Sequence, residues 1–162
     1  MEKTAAPRLL VVLALITAYV IWRSMPVGLT NVTFRGIVIS LPNADATQFS
    51  SQHNLAGQPA DALKSLESLV STKKATSIAN PTVTTKSGQR AVSDSGEAAI
   101  LEVEPMIAKD RRTAEVRVAI VEQEHRIVSS IQVEKGGTRF LGTVQNPTDA
   151  TRTDYIFVRV SF

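Results

Sequence analysis

Two adjacent stretches of this chain decide its fold: residues 98–108 read AAILEVEPMIA, and residues 113–123 read TAEVRVAIVEQ. In the second stretch aliphatic side chains alternate with charged or small ones, Val116, Val118 and Ile120 against Glu115, Arg117 and Ala119. A period of two is typical of a strand with one buried face. Only the residues KDRR separate the two stretches, so they predict two neighbouring antiparallel strands joined by a short turn.

Further β segments lie on both sides of this pair. The same criteria predict strands at residues 31–41, 76–85, 126–134, 138–144 and 155–162. Pro81 indicates a sheet edge or a bulge, because proline cannot donate a ladder hydrogen bond, and Gly36 indicates a bulge or a close approach. Gly136 and Gly137 lie between two β runs and predict a hairpin turn, which favours positive φ. We therefore expect a mostly antiparallel sheet.

One segment has helical periodicity. In residues 59–72 proline suits the first turn, and an apolar stripe follows at helical spacing: Leu63, Leu66, Leu69 and Val70. Residues 42–57 are polar and rich in turn formers, and they predict a loop. The expected fold class is α+β and mainly β. A strand and loop at residues 26–58 lead into a β-rich domain at residues 59–162, with the one helix packed on its sheet.

The N-terminus carries an uncharged apolar run, LLVVLALITAYVIW, at residues 9–22, between Arg8 and Arg23. A bilayer needs about 20 helical residues, and both arginines can extend the span by reaching towards the lipid headgroups. Tyr19 and Trp22 suit an interface. The pattern predicts a cytoplasmic tail (residues 1–8) and a single transmembrane anchor (residues 9–25), with a cleaved or uncleaved signal sequence as the alternative. Positive charge before the run predicts that the tail stays in the cytoplasm and that the following domain lies on the outer side of the membrane.

Composition excludes several classes of function. The chain has 162 residues and no cysteine, which removes disulfides, thiolate metal sites and a cysteine nucleophile. Beyond Arg23 there remain 15 basic and 14 acidic residues, interspersed along the chain, so a nucleic-acid interface is not expected. Neither a phosphate-binding glycine motif nor a Gly-x-Ser-x-Gly elbow occurs.

A few polar residues could carry chemistry. His53 lies in the predicted loop and is expected to be exposed. Glu122 and His125 have the i, i+3 spacing of some helical metal sites, but the surrounding pattern is β. Glu102 and Glu104 share one strand face, where paired carboxylates can divide acid and base roles; an exposed sheet position with Arg117 as a cross-strand partner is the simpler interpretation. We expect a protein that is not an enzyme, with no catalytic, metal or cofactor site.

Several segments, in order, resemble secretins, the ring-forming proteins of bacterial secretion systems. The run ANPTVTTKSGQRA at residues 79–91 is similar to the family's proline-led strand that enters a Gly-Gln-x-Ala turn. The run LEVEPMI at residues 101–107 resembles the following L-x-V-x-P-x-I strand, and residues 131–142 resemble the next glycine-bearing hairpin. The resemblance covers residues 59–162 and implies a β fold that self-assembles through strand edges. This chain is much shorter than the family and lacks space for its N-terminal ring domains.

These observations predict a membrane-anchored, extracytoplasmic, non-catalytic assembly or scaffold module linked to a secretion or pilus-type apparatus. Its expected partners are the membrane and proteins, including further copies of itself, bound through unpaired strand edges. The strand containing Pro81 and the C-terminal strand are the expected edges. Two alternatives stay open: a miniature secretin-like ring, and a secreted or periplasmic ligand-binding domain.

Overall fold

The computed structural model describes residues 31–93, 99–122 and 125–162. The predicted tail and membrane anchor, residues 1–8 and 9–25, lie outside the described residues. Within those ranges, no helix has the length and apolar character needed to cross a membrane. The elements follow in the order β1 (Asn31–Pro42), α1 (Asn43–Gln52), α2 (Pro59–Ser71), β2 (Thr76–Ala79), β3 (Thr82–Lys86), β4 (Ala91–Ser93), β5 (Ala99–Ile107), β6 (Thr113–Glu122), β7 (His125–Glu134), β8 (Thr138–Gln145) and β9 (Arg152–Ser161).

The strands form two antiparallel sheets. In sheet A, β1 is central: β9 pairs with one side of it, β2 and β3 pair with the other, and β8 lies beyond β9. Sheet B has the order β4-β5-β6-β7. The prediction of a mainly β, antiparallel fold with helical packing is confirmed. Because β1 is the central strand, residues 31–58 contribute to both of the hydrophobic clusters that lie on the two sides of sheet A.

Sheet A lies between the two helices and sheet B, so the molecule has three layers. Along β1, one set of side chains faces the helices, Ile37, Ile39 and Leu41, while the alternate set faces sheet B, Val32, Phe34 and Val38. Strand β9 does the same, with Tyr155 and Phe157 towards the helices and Ile156, Val158 and Val160 towards sheet B. Burial on both faces explains the nearly continuous apolar run of β9.

The helix predicted at residues 59–72 is α2, but the prediction of a loop at residues 42–57 is wrong, because α1 occupies much of that segment. The α1 sequence is mostly polar and buries only Ala46 and Phe49. A tertiary contact holds it: the Tyr155 hydroxyl donates to the Ala46 carbonyl at 2.8 Å and contacts the Ser50 hydroxyl at 2.7 Å. The stability of α1 therefore comes from the sheet beneath it, rather than from its own pattern.

The predicted hairpin around Gly136 and Gly137 is also corrected. The turn exists, with Gly136 at φ 75°, but β7 belongs to sheet B and β8 to sheet A. The Val160 N–H donates to the Gly137 carbonyl at 3.0 Å, so the turn is attached to sheet A. The chain therefore crosses between layers at this point instead of forming a two-stranded ladder.

Gly36 is a point of close approach, as its sequence position suggested. Its N–H donates a hydrogen bond to the Pro81 carbonyl at 2.8 Å. This bond lies between the part of β1 that pairs with β3 and the part that pairs with β2. A Cβ at Gly36 would lie 3.0 Å from Pro81 Cγ and 3.5 Å from Ile120 Cδ1. Glycine thus lets the proline-interrupted edge and sheet B both pack tightly against β1.

Candidate functional site

One face of sheet B packs against sheet A, and no described element covers its outer face. The outer face carries the four large aliphatic side chains that are strongly exposed in the described chain, between 41% and 59% accessible: Val92, Ile100, Met106 and Val128. Register places them on one side of the sheet, because Val92 lies opposite Glu102, Glu102 opposite Ala119, and Ala119 opposite Val128. Charged or small residues separate the four, with Glu102 and Glu104 between Ile100 and Met106 on β5, so they are single apolar positions on a mixed face rather than one contiguous patch.

The two glutamates singled out in the sequence lie on this same face. Glu102 forms an ion pair with Arg90 at 2.8 Å and a longer one with Arg126 at 3.8 Å. Glu104 lies opposite Arg117 in the β5–β6 register. The five charged side chains line a shallow depression of about 190 Å³. The two glutamates lie on one exposed sheet face, as expected, but the ion-pair partners of Glu102 are Arg90 and Arg126 rather than Arg117.

The structure describes the side chain of one of the two histidines, His53, and its surroundings differ from the expected ones. His53 is half-buried at the end of α1, not in an exposed loop: its ring stacks on Phe49 at 4.0 Å, and Nδ1 lies 3.1 Å from the Phe49 carbonyl oxygen. His125 begins β7 opposite Glu122 in the backbone register, and the side chains of both lie outside the described part of the structure. No group of three or more His, Asp or Glu side chains within the described ranges could hold a metal ion.

A buried carboxylate closes one end of sheet A. Asp154 is fully buried, and its Oδ2 accepts a hydrogen bond from Asn146 Nδ2 at 2.8 Å, while its Oδ1 receives no hydrogen bond. Asn146 Oδ1 in turn accepts from the backbone N–H groups of Thr148 and Asp149. These bonds anchor the turn between β8 and β9.

A groove of about 590 Å³ lies on the helical layer. Leu41, Phe49 and Leu69 contribute apolar walls, while Asp45 and Lys73 contribute charges of opposite sign. Lys73 has φ 61° directly after α2, a conformation that glycine adopts more readily. The groove is mixed in polarity and lies on the opposite side of the molecule from the outer face of sheet B.

Strand edges were the other predicted functional feature, and one of the two expected edges is wrong. The C-terminal strand β9 lies between β1 and β8, so its backbone is paired on both sides. The Pro81 segment is at an edge, as expected, but it is divided there into the short strands β2 and β3. Strand β4 has only three residues, and β8 carries a bulge at Leu141, since Phe140 and Gly142 pair with consecutive residues of β9.

Strand β7 is the long unbroken edge of the described fold. It has ten residues, no proline and a regular register with β6. The Lys135 N–H donates to the Arg112 carbonyl at 2.8 Å, directly beyond the last β6–β7 pair, so the odd-numbered residues of β7 hydrogen-bond to β6. Successive residues of a strand direct their N–H and C=O groups to opposite sides. Arg126, Val128, Ser130 and Gln132 therefore direct theirs away from the sheet; we call these four residues the β7 edge.

One contact supports this assignment directly. The Gln132 carbonyl accepts a hydrogen bond from Arg139 Nε of the neighbouring strand β8 at 2.8 Å, which requires that the carbonyl point away from β6. No described strand pairs with the β7 edge. The same four side chains are exposed on the outer face of sheet B, so the edge and the face form one continuous surface.

Comparison with models of known protein families finds no match to this chain, and comparison with curated proteins finds none either. The site therefore has to be interpreted from its own geometry. The sequence could have excluded β9 as an edge, because a run apolar on both faces indicates a central strand. It could not have identified the β7 edge, because edge position depends on which strands pair and not on the strand's own residues.

Proposed function

We propose that this chain is a non-catalytic assembly module that binds protein partners by accepting a strand at the β7 edge. The observation that carries the proposal is a ten-residue strand at the side of a sheet, with its alternate N–H and C=O groups left without a ladder partner in the described chain. Folded proteins usually protect such edges with prolines, bulges, short strands or cover. The other three edges have such devices, and β7 lacks them except for the Arg139 contact.

The neighbouring face suits the same role. An added strand gains affinity from main-chain hydrogen bonds and specificity from alternate side chains. Val128 is half-exposed on the β7 edge, and Arg126 and Ser130 flank it with polar groups. This arrangement, an aliphatic side chain within a polar surround, resembles the composition of protein interfaces on a small scale.

The cellular setting in this proposal follows from the sequence. Residues 9–25 would anchor the chain in a bacterial inner membrane, with the β domain in the periplasm, as an accessory to a secretion or pilus-type apparatus. The flanking charges and the ordered similarity to secretin segments support this setting. A small secretin-like ring is the alternative to this proposal, and it would require a second contact surface besides the β7 edge on each copy.

A second candidate function, binding of a small ligand, is favoured by the groove on the helical layer. Its volume of about 590 Å³ is within the usual range of roughly 300–1,000 Å³ for ligand pockets. Lys73 holds a sparsely populated backbone conformation beside that groove, a feature that is found at functional sites. Glycine at this position keeps the backbone conformation and removes the ammonium group, so Lys73→Gly would abolish ligand binding here without unfolding α2.

The assembly proposal is tested with proline substitutions at two edges of the same sheet. Val128→Pro removes an N–H that points away from β6. Val92→Pro removes the equivalent N–H of β4, which points away from β5. The hydrogen bond from the Gly88 N–H to the Pro105 carbonyl indicates that Ala91 and Ser93 are the β4 residues that bond to β5. Proline is tolerated at such outward positions of edge strands. Full-length protein is crosslinked in native membranes, solubilised and sized.

We expect the unmodified chain and Val92→Pro to give the same complex, and Val128→Pro to lose it while staying folded by circular dichroism. Equal complexes for all three chains would refute a role for the β7 edge. A monomer without any partner in the unmodified chain would refute the assembly function altogether.

A further inference from the structure

The charges along β7 indicate which kind of partner strand the β7 edge can bind. The outward residues alternate from Arg126 through Val128, Ser130 and Gln132 to Glu134, with a cation at one end and a carboxylate at the other. Arg126 makes only a long contact of 3.8 Å to Glu102, and Glu134 is exposed with no ion pair among the described residues. A strand with this charge order is complementary to itself when the copy runs in the opposite direction.

We propose that the partner at the β7 edge is a second copy of this chain, paired antiparallel about a two-fold axis through Ser130. This inference rests on the proposed assembly function and names its partner. In this register Arg126 lies opposite the partner's Glu134, and Val128 lies opposite the partner's Gln132. On the inner face, Ile127 lies opposite the partner's Val133. The two sheets B then form one continuous sheet.

Neighbouring registers do not give this match. With the axis through Ser129, Arg126 would lie opposite the partner's Gln132. With the axis through Val128, it would lie opposite the partner's Ser130, and the ends of the strands would not overlap. Only the Ser130 register pairs both arginines with both Glu134 carboxylates, and opposite charges directly across a strand pair are stabilising. A two-fold interface uses the same surface on both copies, which such a palindromic charge order satisfies.

The backbone permits this pairing over the central part of the strand. Val128, Ser130 and Gln132 would exchange N–H···O bonds with the partner strand. The Glu134 carbonyl already accepts from the Gly137 N–H at 2.8 Å, so the ladder ends before Glu134, and beyond it only the side chains pair. The Arg139 guanidinium, which now contacts the Gln132 carbonyl, turns aside or shares that oxygen when the partner strand binds.

Cysteine crosslinking measures the register directly, because the chain contains no cysteine of its own. In the proposed register, the two Ser130 Cα atoms lie about 5.5 Å apart, within the range for a disulfide. The two Ser129 Cα atoms are offset by about two residues along the strands, in addition to the spacing between the strands. The two Val128 Cα atoms are offset by about four residues and lie roughly 14 Å apart. Both separations exceed the limit of about 7 Å for a disulfide.

The experiment uses the full chain in native membranes with Ser130→Cys, Ser129→Cys or Val128→Cys, mild oxidation and a non-reducing gel. We expect at least tenfold more disulfide dimer for Ser130→Cys than for either of the other two. Preferential crosslinking at 128 or 129, or no dimer above the cysteine-free chain at all three positions, would overturn the inference.

Charge reversal gives an independent readout. In the Ser130→Cys chain, Arg126→Glu and Glu134→Arg should each reduce dimer yield severalfold, and the double variant should restore it. A double variant as weak as the single ones would contradict the register. If no cysteine variant dimerises but Val128→Pro still abolishes a complex, the self-association inference fails and the assembly function stands; if Val128→Pro changes nothing either, both fail.

Discussion

Replacing Tyr155 by phenylalanine tests how sheet A holds the helical layer. Tyr155 is fully buried, and its ring contacts Phe49 edge-on at a centroid distance of 5.4 Å. The substitution keeps this packing and removes only the hydroxyl, which bonds to the Ala46 carbonyl and to Ser50. Since each neutral hydrogen bond contributes about 0.5–1.5 kcal/mol net, the two bonds together predict a loss of about 1–3 kcal/mol.

The loss of stability in Tyr155→Phe should lie at the low end of the range for removing a buried polar group. Ser50 is on an exposed helix position and can bond to water. The Ala46 carbonyl keeps the helical hydrogen bond that an i+4 amide donates. By contrast, Tyr155→Ala would also leave a cavity, and it should cost about 3–5 kcal/mol.

The difference in unfolding free energy between the unmodified chain and Tyr155→Phe should change with pH in one direction. Burial raises the pKa of the Tyr155 phenol above its ordinary value, and the Ser50 hydroxyl partly opposes the effect. Because the folded pKa is the higher one, the tyrosine contribution is complete below the unfolded pKa of about 10 and is lost as the pH rises through the folded pKa. The stability gap between the two chains should therefore narrow in alkaline solution.

The assay is urea denaturation of the full chain, followed by far-ultraviolet circular dichroism at pH 7 and at several values above pH 10. At pH 7 we expect Tyr155→Phe to lower the midpoint without changing the slope. A difference below about 0.3 kcal/mol, or one that stays constant across the alkaline range, would show that the hydroxyl does not hold α1 against the sheet.

Four further substitutions test the packing and pairing of the sheets. Gly36→Val should cost about 1–3 kcal/mol by overpacking, because a Cβ there already lies 3.0 Å from Pro81; unchanged denaturation would mean that the two segments are not in close contact. Asn146→Ala should cost about 2–3 kcal/mol, since it leaves the buried Asp154 carboxylate without its donor; a neutral result in the same assay would show that this carboxylate is hydrated. Ser129→Pro should cost about 3 kcal/mol by removing an N–H that pairs with β6, whereas Ser130→Pro should cost under about 1 kcal/mol; equal melting temperatures would show that the assigned alternation along β7 is wrong.

The sequence predicted best where a residue's local pattern and its final environment agree. The alternation of Val116, Val118 and Ile120 correctly identified β6, because these side chains are buried in the core while the alternate residues Glu115 and Arg117 are exposed. The leucine stripe of α2 and the proline at its start likewise suffice to define that helix. In both cases one face is buried and the other is exposed, so periodicity carries the information.

Elements that depend on distant partners could not be predicted in this way. Helix α1 buries only two residues and depends on Tyr155, which is more than one hundred positions away. The Gly136–Gly137 turn is locally that of a hairpin, yet the pairing of β8 with β9 carries the chain into the other sheet. The β7 edge could not be predicted for the same reason: its residues show which side chains are exposed, but only the strand order shows that no described strand pairs with its outward backbone groups.

Residue-resolved amide hydrogen exchange tests the unpaired β7 edge most directly, measured on dilute full-length chain and again at high concentration. In the dilute sample we expect the N–H groups of Val128 and Ser130 to exchange rapidly, and those of Ile127 and Ser129 to be protected by β6. At high concentration the Val128 and Ser130 amides should become protected while the others change little. Equal protection of all four amides at high dilution would contradict the edge, because it would mean that another segment already covers it.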